Sequence, residues 1–494
     1  MLSKVDYRVV DFGDEASLLA HAKKLEGHTF REILELGIVP DGVSREYNDK
    51  RYKGGMGTLI EERYYGYRAN SDAHADFADA GVELKTTCFD IKRDGTPSAG
   101  ERLVLSMIPF DRPIEDELIG SHLWEKAGRI LLIFYHRDRT IDGYDQRIEH
   151  VALFTPPPED LMIMEDDYRT IVNIVQDGHA DELSEGLTRY LGACTKGATL
   201  ATMYRDQYYA PGVQAKSRAF CFKRNYMDHV LNHYLIGDFE AGDCIVKDPS
   251  ALAGQSFDEY VLSLLGPYVG MTDRAICEQL GVPYTGNKAQ WVTIVYKILG
   301  MSSERAEEFE KAGINVRTVR LQPDGCSVKE SLSLDTFSFA DLMKEESWEE
   351  SALCTYFQET RFFFTAFRKT EDGSVFLGAK FWSMPVADID GPLHKCWSET
   401  RDRIAKGVEF DVATLSNGKV VVSNNLPKKT ENPVAHVRPH ASQAAYRLED
   451  GTEIGCVEKD ADELPDGRWM TKQSFWLNST YIYEIVKDLQ VGER

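Results

Sequence analysis

No stretch of this 494-residue chain approaches the roughly 20 uninterrupted apolar residues that a membrane-crossing helix requires. The opening residues, MLSKVDYRVVDFGDEASLLAHAKK, run into charge before the apolar core of a secretion signal can form. A soluble cytoplasmic protein without membrane contact is the expectation. Cysteine is scarce in the arrangements that matter: nine residues stand as singles from Cys88 to Cys456, with no CxxC and no Cys/His cluster at zinc spacing. Neither a disulfide framework nor a structural zinc site is indicated, and buried free thiols are the simplest reading. Positive charge is also short, with 57 Lys and Arg against 80 Asp and Glu and a formal net charge of -23. Taken whole, such a chain repels a polyanion. What is present is a 43% hydrophobic content, enough at this length to bury the cores of two domains of roughly 200 to 250 residues each.

The local balance of charge differs from the global one. Between Arg189 and Asp228 the chain carries Arg189, Lys196, Arg205, Lys216, Arg218, Lys223 and Arg224 against only Asp206 and Asp228. The same window holds Tyr190, Tyr204, Tyr208, Tyr209, Phe220, Phe222 and Tyr226. Cations interleaved with aromatics can neutralise phosphates and stack on bases. Acidity elsewhere would then orient a nucleic acid toward this face.

Met56, Leu59, Ile60, Tyr64 and Tyr67 fall at helical spacing within KGGMGTLIEERYYGY, so a helix is expected over 53–67 after a glycine-rich entry. GVELKTT from Gly81, LVLSMI from Leu103 and RILLIFY from Arg129 read as strands, the last apolar enough for the middle of a sheet. Helix, strand, strand, helix, strand is the order of a mixed α/β or α+β domain. A Gly-, Asp-, Ala- and Pro-rich stretch over 241–255 is the candidate linker.

The chain also repeats itself. DFADAGVELKT from Asp76 matches EFEKAGINVRT from Glu308, and at the same offset KAGRILLIFY lands on QETRFFFTAF, Arg129 falling on Arg361. Two copies of one domain, 1–240 and 256–494, are the economical account.

Within the first copy, Glu83 and Lys85 are two apart on an expected strand and leave the same face of the sheet. Asp76 lies where a short turn can return its carboxylate beside them. Acids without soft donors nearby suit a hard cation such as Mg²⁺, which bridges a phosphate oxygen and a water. A lysine beside that water stabilises the hydroxide. The reaction such a group serves is hydrolysis of a phosphodiester.

Four blocks, KGGMGTLIE from Lys53, DFADAGVELKT, SHLWEKAGRILLIF from Ser121 and RAFCFKRNY from Arg218, occur in the order and spacing of the MutH family. The sequence resembles that family, the mismatch-repair endonuclease and its relatives among GATC-cutting type II restriction enzymes of the Sau type, within the PD-(D/E)xK nuclease fold. The resemblance implies two tandem domains, each a mixed central sheet flanked by helices. It makes Asp76, Glu83 and Glu61 the metal-binding acids, Lys85 the lysine that orients the attacking water, and Lys126 a supporting lysine near the scissile phosphate. RYLGACTKG is similar to the family's DNA-reading segment and makes Lys196 a contact to base or phosphate, with Arg218, Lys223 and Arg224 in a second DNA-touching block. Where the mismatch-repair enzyme has a tyrosine implicated in sensing adenine methylation, this chain has Cys221.

The second copy keeps little of that chemistry. Glu308 stands for Asp76, Asn315 for Glu83, Arg317 for Lys85 and Gln358 for Lys126. An amide brings no charge to a metal, and a guanidinium competes with one. Basic groups persist at Lys428, Lys429, Arg438 and Lys472. The expectation is a non-cutting copy that binds a second DNA site as an allosteric effector, as the resemblance to two-repeat restriction enzymes implies. One active site per chain cannot sever two antiparallel strands at once, so a monomer that dimerises on double-stranded DNA is expected. The implied activity is an Mg²⁺-dependent double-strand cut at GATC, 5′ of the G, within a restriction-modification system. The alternatives are a strand-nicking repair endonuclease and a regulatory DNA-binding protein without activity.

Overall fold

The computed structural model describes residues 10–40, 46–48, 54–69, 74–196, 203–237, 243–287, 289–416 and 420–490. Lys53, at the head of the first matching block, and residues 241–242 of the expected linker lie outside them. Two compact units are present: Met1–Phe257 with Arg305–Ile314, and Asp258–Glu304 with Asn315–Arg494. No helix among the described residues is long and apolar enough to cross a membrane.

In the first unit, helices α1 (Glu15–Ala22), α2 (Phe30–Leu34) and α3 (Gly55–Leu59) precede strand β1 (Glu83–Ile91). Then come β2 (Pro97–Ala99), β3 (Leu103–Met107), α4 (His122–Ala127), β4 (Ile130–His136), β5 (Arg147–Phe154) and α5 (Pro158–Gln176). The unit continues through β6 (Leu191–Thr195), β7 (Tyr204–Asp206), β8 (Gln214–Lys216), β9 (Arg218–Phe222) and α6 (Arg224–His229). One sheet has the order β2-β1-β4-β5, with β1 parallel to β4 and the other pairs antiparallel. Strand β4 occupies the middle because ILLIF is apolar on both sides and fully buried. Leu131 and Ile133 join the core made with Leu18, Phe30, Leu59, Tyr64 and Val82. A second sheet has the order β3-β9-β6.

Asp167 of α5 fixes where β6 begins. Its buried carboxylate accepts the backbone N–H groups of Arg189, Tyr190 and Leu191 at 2.8, 2.7 and 3.0 Å and pairs with the Arg189 guanidinium at 3.1 Å. Three charge-assisted bonds plus an ion pair offset the cost of an acid with no solvent exposure.

The second unit has a three-stranded sheet in which Arg361–Thr370 is central between Ile314–Leu321 and Gly373–Trp382. Another three-stranded sheet places Gln473–Leu477 between Leu332–Phe337 and Ala435–Pro439. The second of these follows the plan of β3-β9-β6, with its middle strand latest in sequence and a helix, Ser479–Val486, directly after it. The second unit also holds a hairpin of Phe410–Thr414 with Val420–Asn424 and a small four-stranded sheet over 446–471.

The elements expected from the sequence form with small shifts. Residues 81–87, 103–108 and 129–135 become β1, β3 and β4. The expected helix over 53–67 begins as α3 and widens into a π-helix over Ile60–Tyr65. Helix Glu307–Ala312, the second copy's equivalent of the segment that carries Asp76, packs in the first unit. Glu308 there accepts the N–H groups of Ile245 and Val246, both at 2.9 Å, so its carboxylate caps backbone. A contiguous split at 241–255 therefore misses a segment that crosses back.

Candidate active site

Asp76 opens a tight reversal. Phe77 bridges Val82, the N–H groups of Ala80 and Gly81 donate back to Phe77 and Ala78, and Gly81 sits at φ +64°, where a side chain is strained. The reversal returns the Asp76 carboxylate to β1, where Oδ2 accepts the Leu84 N–H at 2.9 Å. Glu83 begins β1 opposite Ile130 and is 2% exposed. Lys85 lies two residues further on the same face, and its Nζ donates to Glu83 Oε1 at 2.6 Å.

Lys126 arrives from α4. Ser121 caps that helix by accepting the Trp124 N–H at 3.1 Å, and Gly128 ends it. A Cβ on Gly128 would stand 2.8 Å from the Trp124 ring and 3.0 Å from the Trp124 carbonyl, so the turn into β4 requires the missing side chain. The Lys126 ammonium then spans both Glu83 oxygens, at 3.3 and 3.2 Å. One buried carboxylate is held between two ammonium groups.

Glu61 reaches the same place from the π-helix. Its neighbour Glu62 faces inward and accepts the Tyr47 hydroxyl at 2.6 Å, while Arg63 donates to that hydroxyl at 2.9 Å. The Glu61 carboxyl is pushed up to about 7 by burial and then by the charge of Asp76, with Lys85 opposing. Asp76 is also raised, by burial first and by Glu83 second, with the Leu84 N–H and both lysines pulling the other way. Acids held together against their own repulsion gain from a cation among them. Oxygen donors with no sulfur or imidazole among them select a hard one, so the residues fit Mg²⁺. The three acids are not drawn to one point: among the described residues, the set of three such donors all within 4.8 Å of one another lies elsewhere in the unit.

Tyr67 is a member the sequence reading missed, having been assigned to the buried stripe. Its hydroxyl is shut off from solvent without a hydrogen-bond partner. Burial, followed by the charges of Asp76 and Glu61, raises it well above the ordinary phenol value. Nothing in the period of the helix distinguishes a tyrosine facing apolar core from one whose tip borders an acidic pocket.

The expected DNA-contacting residues separate into two sets. Lys196 is exposed directly after β6, and Arg224 is exposed with its Nε donating to the Ala99 carbonyl at 2.9 Å. Arg438 is exposed with its guanidinium 4.5 Å over the Trp476 ring, and Lys472 is half-buried with Nζ on the Lys459 carbonyl at 2.7 Å. Arg218 and Lys223 correct the expectation. They are 1% and 3% exposed and donate inward to the Ala193 and Thr188 carbonyls. Every residue of β9 is buried, and the inward bonds of Arg218 and Lys223 tie these two cations to the sheet. In the second unit, Asn315 donates to the Tyr356 hydroxyl at 3.2 Å and Gln358 is buried against Cys354.

A family model described as DNA mismatch repair enzyme MutH matches residues 65–167, a span that contains Asp76, Glu83, Lys85 and Lys126. The chain is 34% identical over 465 residues to the type II restriction enzyme Sau3AI of Staphylococcus aureus, covering 89% of this chain and 94% of that protein. It is 29% identical over 225 residues to the DNA mismatch repair protein MutH of Shigella flexneri serotype 5b, and 26% identical over 227 residues to that of Pasteurella multocida. Each of these two alignments takes 45% of this chain but 94% and 97% of the relative.

Proposed function

The chain belongs to the family of MutH-type and Sau3AI-type endonucleases and is a nuclease; from that premise we propose that it makes Mg²⁺-dependent double-strand cuts in DNA at GATC, 5′ of the G, leaving 5′-phosphate ends. The observation that carries the reading is the grip of Lys85 and Lys126 on Glu83, with Asp76 folded back onto the same strand. Asp76 and Glu83, with Glu61 beside them, would hold the metal, which supplies charge to the phosphorus centre and acidity to a water. Lys85 holds the attacking water and stabilises it as hydroxide. Lys126 holds the Glu83 carboxylate in place through both of its oxygens. The water gives up a proton to solvent as its oxygen bonds to phosphorus, the bond from phosphorus to the 3′-oxygen breaks, and that oxygen takes a proton from solvent.

Exposed Lys196 and Arg224 would touch the bound duplex, while buried Arg218 and Lys223 hold the strands from which contacts are made. The second unit lacks the acids and lysines of the first and would act as an effector through a second DNA site, with Arg438 on Trp476 as a preformed contact. Two chains, each carrying one active site, would meet on the palindrome. The proposed place of action is the bacterial cytoplasm.

A strand-nicking activity is the second reading, favoured by the near-complete coverage of the mismatch-repair proteins by half of this chain. Digesting a supercoiled plasmid of known sequence with Mg²⁺ and mapping the ends tests both. Linear products ending 5′ of G in GATC support restriction. Open circles that never become linear favour nicking, and ends at other sequences reject the GATC assignment.

A further inference from the structure

Glu185, Cys194 and Cys221 form a buried group whose donor atoms all lie within 4.8 Å of one another. Glu185 comes from a short 3-10 turn, Glu185–Leu187, whereas the cysteines stand on adjacent strands β6 and β9. The register pairs Gly192 with Cys221 and Cys194 with Ala219, so the two sulfurs are diagonal neighbours on one face of the sheet. Gly192 leaves the space that lets the glutamate in: a Cβ there would stand 3.2 Å from Glu185 Cγ and 3.4 Å from Cys221 Sγ.

The carboxylate is 1% exposed. Arg102 donates to its Oε1, but Oε2 is buried without a hydrogen-bond partner. An orphaned carboxylate oxygen is costly. A cation beside two thiols would remove that cost.

We propose that Glu185, Cys194 and Cys221 bind a thiophilic divalent cation of the zinc class, as a structural site distinct from the catalytic carboxylates. Two sulfurs and one oxygen are a donor set for zinc and unsuited to Mg²⁺. Two thiolates and a carboxylate around a divalent ion leave one negative charge, which the Arg102 guanidinium neutralises. The two thiol protons leave to solvent as the metal enters, and no electron transfer is involved. The site joins the 185–187 turn to β6 and β9, the strands that Lys196 follows and Arg218 begins. Cysteines 27 residues apart on neighbouring strands give none of the short spacings by which zinc sites are read from sequence.

The test uses the full chain, grown with supplementary zinc and freed of loose metal by gel filtration over a weak chelator. One zinc per chain is expected, and Co²⁺ in its place gives an intense thiolate-to-metal charge-transfer band in the near ultraviolet. The band cannot arise at Asp76 and Glu83, which offer no sulfur, so Asp76→Ala retains it, while Cys194→Ser and Cys221→Ser each lose it. Wild-type protein with substoichiometric zinc and no cobalt band overturns the proposal whatever the folding of the variants. Recovery of a Cys194–Cys221 disulfide in metal-free protein, or full zinc occupancy in Cys194→Ser, also overturns it.

Discussion

At the scale of single residues, Glu83 is the point on which the candidate site turns. Its carboxylate is almost fully buried, and two lysines from different elements close on it within 3.3 Å. Lys85→Ala should leave DNA binding in Ca²⁺ nearly unchanged and slow single-turnover cleavage roughly 100- to 1000-fold; a rate within a few-fold of wild type would remove its role at the attacking water. Glu61 makes a second prediction, in the absence of metal. Its carboxyl rises from 4.5 to about 7 on folding, so the folded protein binds this proton more tightly than the unfolded chain does. Stability therefore falls as pH rises from about 4.5 to about 7, by roughly 3 kcal/mol over the window. Denaturant midpoints of metal-free protein should show that fall, and Glu61→Gln or added Mg²⁺ should flatten it; parallel curves for wild type and variant would contradict the placement of Glu61 among the acids. Glu83 and Lys85 were legible in the sequence because strand alternation puts i and i+2 on one face whatever the rest of the fold does, and Asp76 because a short turn before the strand can return its carboxylate to it. Arg218, Lys223 and Tyr67 were not, because charge and aromatic content do not say which way a side chain points. That depends on a strand being central and covered, which only the pairing of β9 between β3 and β6 decides.

Elements position these groups through a few backbone constraints. The Phe77–Val82 reversal puts Gly81 at positive φ, and the Asp76 carboxylate reaches Leu84 N–H only through that turn. Gly81→Ala should cost about 1 kcal/mol of stability, yet lower the cleavage rate by more than that figure accounts for, because Asp76 is displaced with the turn. Measuring the denaturation midpoint and the single-turnover rate on the same preparation checks this, and a variant of unimpaired rate would show that the turn does not place the acid. The expected helix and strands were readable because their apolar periods are long and clean. The π-helix over Ile60–Tyr65 was not, since a widened turn leaves no mark in a pattern sampled at helical spacing. It matters here because consecutive residues Glu61 and Glu62 take opposite duties, one at the acidic pocket and one locked to Tyr47.

For the whole molecule, the repeat visible in the sequence has a topological counterpart in the paired three-stranded sheets, but the division of the chain is not a single cut. Lys311, aligned with Asp79 of the first copy, is buried in the first unit between Asp160 and Glu307, both at 2.8 Å. Lys311→Ala should destabilise that unit by roughly 3–5 kcal/mol, because it leaves a buried acid without its partner; a loss below 1 kcal/mol in chemical denaturation would contradict the assignment of 305–314 to it. An alignment of repeats reports common ancestry of segments and has no access to which core a segment joins, so this exchange was hidden from the sequence. The effector role predicts that Arg438→Ala slows cutting of DNA carrying two sites while leaving a one-site duplex unaffected; equal rates on both substrates, before and after the change, would remove it. The central claim is that Asp76, Glu83 and Lys85 form one metal-dependent hydrolytic site. It is tested most directly by single-turnover cleavage of a labelled one-site duplex by wild type and Glu83→Ala, with binding of the same duplex measured in Ca²⁺. Cutting that requires Mg²⁺ in the wild type and vanishes in the variant while binding persists is the predicted result. Cutting that survives in Glu83→Ala, or proceeds in the wild type with every divalent ion chelated, would contradict it.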